Sequence, residues 1–172
     1  MTALEAEHPV DAKTFWRVLG ERATGMTVVT AQGEDGPAGF LGLSAAHVAA
    51  DPPTMLVSID AKTSALGPIL ARRHFAVNFL PASASHVADA FSGKAGLSGA
   101  DRFVTGEWET LATGAPVLRQ ALGVFDCTVD QVVERDSISI VIGTVVGARA
   151  AGSGEPLVFF RGKTIAGLAS AG

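Results

Sequence analysis

The sequence predicts one soluble domain built mainly on antiparallel β-strands, with a few helices packed outside a partly closed barrel. Hydrophobic residues make up 48% of the 172 residues and charged residues only 17%, which is enough apolar material for one sizeable core. Several segments alternate apolar and polar residues with a period of two, as half-buried strands do. Strands and helices do not alternate strictly along the chain, which argues against a parallel β-α-β fold.

The N-terminal part predicts a helix followed by a β-hairpin. A helix can begin at the cap residue Asp11 and end at Gly25. Between them, residues recur at helical spacing: Phe15, Val18, Leu19 and Arg22. The segments 26–31 and 38–43 are rich in apolar residues and flank the turn residues 33–37, so they predict the two arms of the first hairpin.

The middle of the chain predicts two further strands and two short helices. Residues 54–60 follow an Asp-Pro-Pro turn and read as a buried strand, and residues 75–80 read as another. One helix is predicted over 68–72, and a second over 83–93 with Ser83 as its N-cap. The stretch 94–106 is rich in Gly, Ser and Ala without a period, which predicts a surface loop or lid.

The C-terminal part predicts a long hairpin and a closing strand. Residues 122–134 and 138–149 are alternating segments separated by the turn residues 135–137. A last strand is predicted at 157–161. The total is about seven strands and three helices, with no internal repeat.

Charge and composition exclude several classes of partner. The net charge is −4 with scattered basic residues, which excludes a nucleic-acid-binding surface. The longest stretches without charged residues have 15 residues, fewer than the roughly 20 that a membrane-spanning helix needs. The N-terminal segment 1–12 is acidic, lacks the features of a secretion signal and is expected to be flexible, so we expect a cytoplasmic protein. The low charge indicates apolar surface covered by a second subunit, hence a homo-oligomer.

Few residues of the sequence indicate a nucleophile or a metal ligand. Cys127 is the only cysteine and lies on the apolar face of an alternating run, so a small buried side chain is favoured over a nucleophile. The four histidines, at positions 8, 47, 74 and 86, show no spacing typical of metal ligands, and no metal site is predicted. His47 is interpreted as an exposed loop residue. Neither a dinucleotide-binding glycine motif nor a P-loop occurs.

The segment 60–64, Asp-Ala-Lys-Thr-Ser, is the best anion-binding candidate. It lies between an apolar strand and a predicted helix, where free N–H groups favour a phosphate. Lys62 adds a positive charge, and Thr63 and Ser64 add hydroxyl donors. The alternative is that Ser64 only caps the helix, and Pro68 fits a later helix start.

Several stretches along the chain, taken together, form a recognisable pattern: Ala23 to Thr30, Gly39 to Ser44, Asp51-Pro52-Pro53, Phe75 to Asn78, Asp101-Arg102-Phe103, Gly114 to Leu118, Phe125-Asp126-Cys127, Ile142-Gly143, Val145-Val146 and Glu155 to Gly162. Their order and spacing resemble the short-chain flavin reductase family. The resemblance covers nearly the whole chain, from about Phe15 to Gly162.

This resemblance implies a split β-barrel of the FMN-binding type, antiparallel and Greek-key-like, in a homodimer. It implies an enzyme that uses NADH or NADPH to reduce FMN or FAD, often for a partner monooxygenase. Such an enzyme needs no catalytic acid or base, because the hydride passes directly between nicotinamide and flavin. The cofactor-binding residues implied for this chain are Leu41, Gly42, Leu43 and Ser44 beside the flavin ring, Lys62, Thr63 and Ser64 at the phosphate, and Arg161.

The chain departs from the family pattern at three places. Family members usually have Gly-Asp-His in the turn of the long hairpin, with the histidine near the nicotinamide, whereas this chain has Arg135-Asp136-Ser137. Leu41 and Leu43 replace polar residues of the flavin loop, and Lys163-Thr164 replaces a tyrosine after the last Arg-Gly. Two alternatives therefore stay open: a split-barrel protein that binds a flavin without reducing it by nicotinamide, and an interaction domain with an empty barrel.

Overall fold

The computed structural model describes residues 9–168, which contain twelve strands, three α-helices and two short 3₁₀ helices. The helices are α1 (Ala12–Leu19), α2 (Leu66–Arg72) and α3 (Ser85–Ser92), with 3₁₀ turns at Ala82–Ala84 and Gly99–Thr105. The strands are β1 (Thr24–Gly25), β2 (Thr27–Gln32), β3 (Pro37–Leu41), β4 (Ala46–Ala50), β5 (Pro53–Asp60), β6 (His74–Phe79), β7 (Trp108–Thr110), β8 (Pro116–Leu118), β9 (Gly123–Arg135), β10 (Ile138–Ala150), β11 (Leu157–Phe160) and β12 (Lys163–Ala166).

Seven strands form the main sheet, and its topology forces it to curl. The order is β3-β2-β6-β9-β10-β5-β4, with antiparallel ladders throughout. In a flat sheet the edge strands β3 and β4 would lie about 29 Å apart, six spacings of about 4.8 Å. The chain from Leu41 to Ala46 can reach at most about 18 Å. The two edges must therefore approach each other, which gives a barrel with an open seam between β3 and β4.

Buried side chains form two clusters on opposite faces of this sheet. Val29, Val77 and Val141 belong to the cluster that also contains Ile69 of α2. Val28 belongs to the other cluster, which includes Phe91 of α3. Since Val28 and Val29 are neighbours on β2, this strand is buried on both faces, as its continuous apolar run predicts. The mainly β split barrel with Greek-key-like antiparallel order is confirmed.

The two predicted hairpins are confirmed, and the predicted helix ends are partly wrong. The Oδ1 atom of Asp11 accepts a hydrogen bond from the N–H of Thr14 at 2.7 Å, so the predicted N-cap of α1 is confirmed. The helix ends at Leu19 rather than near Gly25, because Gly20 already caps it by donating its N–H to the carbonyl of Trp16. Of the segment 1–12, residues 1–8 lie outside the described residues, so its flexibility stays a prediction.

The predicted starts of the second and third helices are wrong. Ala65 takes the N-cap position of α2 without any side-chain hydrogen bond, so Ser64 does not cap it, and α2 begins two residues before Pro68. Ser83 lies inside a 3₁₀ turn instead of capping α3. Gly93 does end α3, with a left-handed φ of 86° that glycine adopts without strain.

Three segments predicted as loops or strand ends differ in the structure. His47 lies in the exposed edge strand β4 instead of a loop, paired with Met55. The stretch 94–106 contains a 3₁₀ helix whose Phe103 is buried against Phe91, so this stretch is no simple surface lid. The last predicted strand stops at Phe160, and Arg161 forms the turn to β12, a strand that the sequence did not reveal.

Candidate functional site

A cleft of about 570 Å³ lies at the open seam of the barrel, and we call it the seam cleft. One side is formed by the end of β3 and the loop that follows, including all four residues 41–44. The opposite side is formed by Ser58 and Asp60 of β5 and by Thr63 in the next turn, while α1 covers the outside. The volume is within the usual range of small-molecule sites. The two segments that the sequence singled out therefore meet in one cleft.

Gly42 fixes the loop where it leaves β3. Its N–H donates to the carbonyl of Thr27 at 2.8 Å, and its own carbonyl accepts from the hydroxyl of Thr27. A Cβ at this position would lie 2.6 Å from the Cγ2 atom of Val29, which leaves room only for glycine. Both backbone groups of Gly42 are thus hydrogen-bonded within the protein. Gly42 shapes the cleft because the absence of a side chain lets the loop pass close to Val29.

The next three residues leave their backbone donors free. Among residues 9–168, the N–H groups of Leu43, Ser44 and Ala45 have no hydrogen-bond partner. They belong to the connection that crosses the seam, where no neighbouring strand can accept from them. Unpaired N–H groups beside a half-buried apolar surface favour a ligand with acceptor atoms along one edge.

The hydroxyl of Ser44 has a structural role. It donates to the carbonyl of Ser58 at 2.9 Å and accepts from the N–H of the same residue at 3.2 Å. These two bonds tie the seam connection to β5. Ser44 therefore lines the cleft, but its hydroxyl is already hydrogen-bonded and its free donor is the backbone N–H. Binding of a flavin by Ser44 stays a prediction.

The predicted phosphate turn is only partly in the cleft. Thr63 is half-buried and lines it, whereas Lys62 and Ser64 are exposed beside it. The turn is held by Asp60, whose side chain accepts from the N–H of Lys62 at 2.8 Å and whose carbonyl accepts from the N–H of Thr63 at 2.9 Å. Within residues 9–168, the N–H of Ser64 and that of Ala65 remain unpaired. The Asp60 carboxylate brings a negative charge next to this turn, which Lys62 offsets.

Arg161 lies away from the other predicted ligands. Its guanidinium binds the Oε2 atom of Glu21 through Nη2 at 2.6 Å and Nε at 3.0 Å, and this pair raises the pKa of Arg161. Its carbon Cζ also lies 5.0 Å from the ring centre of Phe160. Arg161 does not line the seam cleft. A direct contact with a flavin stays a prediction for this residue.

The turn of the long hairpin lies next to the phosphate turn. The carbonyl of Ser137 accepts a hydrogen bond from the N–H of Ala61 at 2.8 Å, and Ile138 is paired with Asp60. Arg135 and Asp136 at its tip are more than four-fifths exposed and form an ion pair at 3.6 Å. Ser137, the position at which the family resemblance implies a histidine, is therefore adjacent to the seam cleft.

The contribution of α1 to the cleft was not predicted from the sequence. Trp16, Leu19 and Arg22 line it from the outside. The helical spacing of Leu19 and Arg22 was visible in the sequence, but nothing in it indicated that this face lies over a cleft rather than on the core. Trp16 does not belong to the apolar spacing of this helix. A large aromatic residue outside that spacing was the one signal in the sequence.

The remaining reactive groups have structural roles. Burial raises the pKa of Cys127 to about 12, so this thiol is not a nucleophile at neutral pH, as predicted. His74 begins β6, and its Nε2 atom accepts from the N–H of Gln32 at 3.1 Å, while burial lowers its pKa. His8 lies outside the described residues. Over residues 9–168 no group of three metal-binding side chains occurs, and no helix there is long and apolar enough to cross a membrane.

Comparison with known proteins agrees with this geometry. The chain is 33% identical to the FMN reductase (NADH) RutF of Methylorubrum populi over 164 residues, which cover 92% of this chain and 79% of that protein. The NADH:FAD oxidoreductase SgcE6 of Streptomyces globisporus superposes with a TM-score of 0.85 at 27% identity, covering 98% of this chain and all of that one.

A third relative is BorF, the flavin reductase component of a bacterial two-component tryptophan halogenase. It superposes with a TM-score of 0.83 at 29% identity and covers 93% of this chain and 99% of its own. The model of the flavin reductase like domain matches residues 19–166, which include both long hairpin strands and every lining residue of the seam cleft except Trp16. The chain belongs to the flavin reductase like domain family.

Proposed function

We propose that this protein is an NAD(P)H-dependent flavin reductase that binds FMN or FAD in the seam cleft. The observation that carries the proposal is the meeting of residues 41–44 with Thr63 in one cleft of a flavin reductase domain. The net reaction takes NAD(P)H, a flavin and one proton to NAD(P)⁺ and the two-electron-reduced flavin. The hydride chemistry belongs to the two small molecules, so the protein supplies binding and alignment.

The flavin ring is assigned to the segment Leu41 to Ser44. Leu41 and Leu43 give it an apolar side, and the free N–H groups of Leu43, Ser44 and Ala45 supply donors for the oxygen and nitrogen atoms along one ring edge. Loss of the polar side chains that related proteins carry at positions 41 and 43 leaves these backbone donors in place. Ring recognition by backbone groups explains how the leucines are tolerated.

The flavin phosphate is assigned to Lys62, Thr63 and Ser64. The Thr63 side chain lines the cleft, the N–H of Ser64 is free, and Lys62 supplies a positive charge at its edge. The carboxylate of Asp60 opposes an anion here, so Lys62 is needed to keep this end of the cleft from being negative. The nicotinamide is assigned to the open side of the flavin ring, because hydride passes directly between the two rings. Ser137 lies near this end of the cleft and offers a hydroxyl where the family resemblance implies an imidazole.

We also propose that the enzyme works as a homodimer and passes reduced flavin to a monooxygenase. Large apolar side chains are exposed on several elements of the single chain, including Val48, Val133 and Val146. Burial of such side chains against a second copy would remove them from water. BorF is the flavin reductase component of a two-component tryptophan halogenase, so this relative serves a separate enzyme.

An anaerobic titration tests the reductase activity. Bleaching of the absorbance band of added FMN or FAD by NADH or NADPH is expected only in the presence of the protein. A flavin that binds and stays oxidised with both nicotinamides would refute reduction and leave a flavin-binding protein. Absence of any binding by either flavin would refute the site as well.

A comparison of FMN with riboflavin tests the phosphate assignment, because riboflavin has the same ring without the phosphate. Lys62→Gln is expected to weaken FMN binding about tenfold, the usual size for loss of a charge-assisted contact, while riboflavin binding stays as in the wild type. Lys94→Gln, at an exposed lysine in the stretch 94–106, is the matched control. Equal loss for FMN and riboflavin would contradict the assignment.

A further inference from the structure

Helix α1 is an amphipathic helix that contributes nothing to the core. Its four large apolar side chains are all exposed: Phe15 by 53%, Trp16 by 66%, Val18 by 64% and Leu19 by 39%. No residue of α1 is buried. Burial in the core therefore does not explain the position of α1 on the barrel.

Two adjoining cavities occupy that space. The seam cleft is one, and a second cavity of about 270 Å³ lies between α1 and the turn after β11. Trp16, Leu19, Arg22 and Leu43 line both. Three of these four side chains come from α1 or directly after it, and the fourth is in the predicted ring-binding segment. The apolar face of α1 thus lies over the position assigned to the flavin ring.

Polar contacts hold α1 at its C-terminal end. The N–H of Arg161 donates to the carbonyl of Gly20 at 3.0 Å, and the Arg161 guanidinium binds Glu21 at 2.6 Å. Both partners directly follow the last residue of α1. Elsewhere on the helix, over the residues that the structure describes, the only side-chain hydrogen bond is the N-cap of Asp11. The turn Arg161-Gly162 is therefore the point where the barrel sets the orientation of α1.

We propose that α1 is the outer wall of the flavin site, with Trp16 as a ring-contacting residue and the Glu21–Arg161 pair as the contact that positions this wall. This inference rests on the proposed function. A planar ring between Leu43 and Trp16 removes the exposed indole and leucine surfaces from water together, which gives the apolar face of α1 the partner it lacks. Arg161 then acts on the flavin through α1, which fits its position outside the cleft.

Flavin fluorescence tests the contact with Trp16. An indole in contact with a flavin quenches its emission, so bound FMN is expected to be dark in the wild type and brighter in Trp16→Phe. Trp16→Ala is expected to weaken FMN binding about tenfold, the size of a lost stacking contact. Trp108→Phe is the control, because the only other tryptophan packs on Phe103 away from the cleft, and it should leave both quantities unchanged.

Steady-state kinetics test the positioning contact. Glu21→Gln and Arg161→Gln are each expected to raise the KM for riboflavin several-fold with kcat unchanged, because the wall is displaced and no reacting group is lost. Riboflavin avoids any effect on a phosphate. The exchange Glu21→Arg with Arg161→Glu should restore the KM, which a general loss of stability would not do. The control Glu107→Gln removes a comparable exposed ion pair, with Arg119, outside the cleft.

The outcomes separate this inference from the proposed function. Wild-type protein that fails to bind FMN would overturn both. Wild-type protein that binds and reduces FMN, with Trp16→Ala and Trp16→Phe indistinguishable from it, would overturn the wall alone. Unchanged KM values in both single variants of the ion pair would overturn the positioning contact. Melting temperatures within about 2 °C of the wild type exclude misfolding as the cause, as expected for exposed residues.

Discussion

Replacement of Gly42 by alanine tests whether the seam connection has room for any side chain. The added Cβ would lie 2.6 Å from Val29 Cγ2 and 3.4 Å from Phe40 Cε2. Val29 is completely buried and β-branched, so it cannot turn away without disturbing the core. Overpacking of this kind costs about 1–3 kcal/mol.

In a chain of this length each kcal/mol corresponds to about 2–4 °C in Tm, so we expect a decrease of about 2–12 °C. Since Gly42 begins the connection that we propose to bind the flavin ring, FMN affinity should fall with the stability. Thermal unfolding and FMN titration of the same samples measure both effects.

The control is Gly67→Ala. Gly67 is an exposed residue inside α2 with nothing within 4 Å of an added Cβ. Alanine is favoured over glycine in a helix but disfavoured before a proline such as Pro68, so this variant should stay within about 1 kcal/mol of the wild type with FMN affinity unchanged. Gly42→Ala protein with unchanged Tm and unchanged FMN affinity would refute the claim that the connection packs against Val29 and carries the flavin.

Three further predictions concern buried or half-buried side chains. Asp126→Ala removes the carboxylate that accepts hydrogen bonds from the N–H groups of Ala112 and Thr113, each at 2.8 Å. We expect the free energy of unfolding, measured with denaturant, to decrease by about 2–4 kcal/mol. A decrease below about 1 kcal/mol would contradict the role of these bonds. Burial lowers the pKa of His74, so the unfolded chain binds the proton more readily than the folded one. The free energy of unfolding should therefore fall as the pH decreases from about 6.5 through the lower pKa of the folded state. His74→Gln should reduce this pH dependence, and an unchanged dependence would refute the role of His74. The thiol of Cys127, with a pKa raised to about 12, should resist alkylation in the native protein at pH 8 and react only after unfolding, and rapid native labelling would refute its burial.

The barrel could be predicted from the sequence because its longest strands alternate apolar and polar residues. The segments 123–135 and 138–150 alternate over 13 residues each, and the turn between them is polar. The short strands were missed for the opposite reason: β7 and β8 have three residues each, too few to show a period. β4 was missed because its sequence, AHVAA, is exposed along its whole length and lacks an apolar face.

The site was predicted where local chemistry marked it and missed where only the tertiary fold does. Lys62, Thr63 and Ser64 stand out as a polar turn after an apolar strand, and Gly42 lies in a stretch shared with a known family. The contribution of Trp16 depends on where α1 packs, which no local pattern determines. The ion pair between Glu21 and Arg161 joins residues 140 positions apart, so no local sequence pattern could have revealed it.

The order of strands in the main sheet has a consequence for biosynthesis. β5 and β6 follow each other in the chain, yet no ladder joins them, because β9 and β10 lie between them in the sheet. A nascent chain that ends before residue 123 therefore holds two separate half-sheets with unpaired edges. In such a chain β5 is joined to the seam connection only through β4 and the two hydrogen bonds of Ser44 with Ser58, so the proposed flavin cleft takes its final shape only when the long hairpin has been inserted. Most of the chain must therefore be synthesised before a bound flavin can stabilise the fold. Until then, only chaperones or rapid folding protect the unpaired strand edges from aggregation.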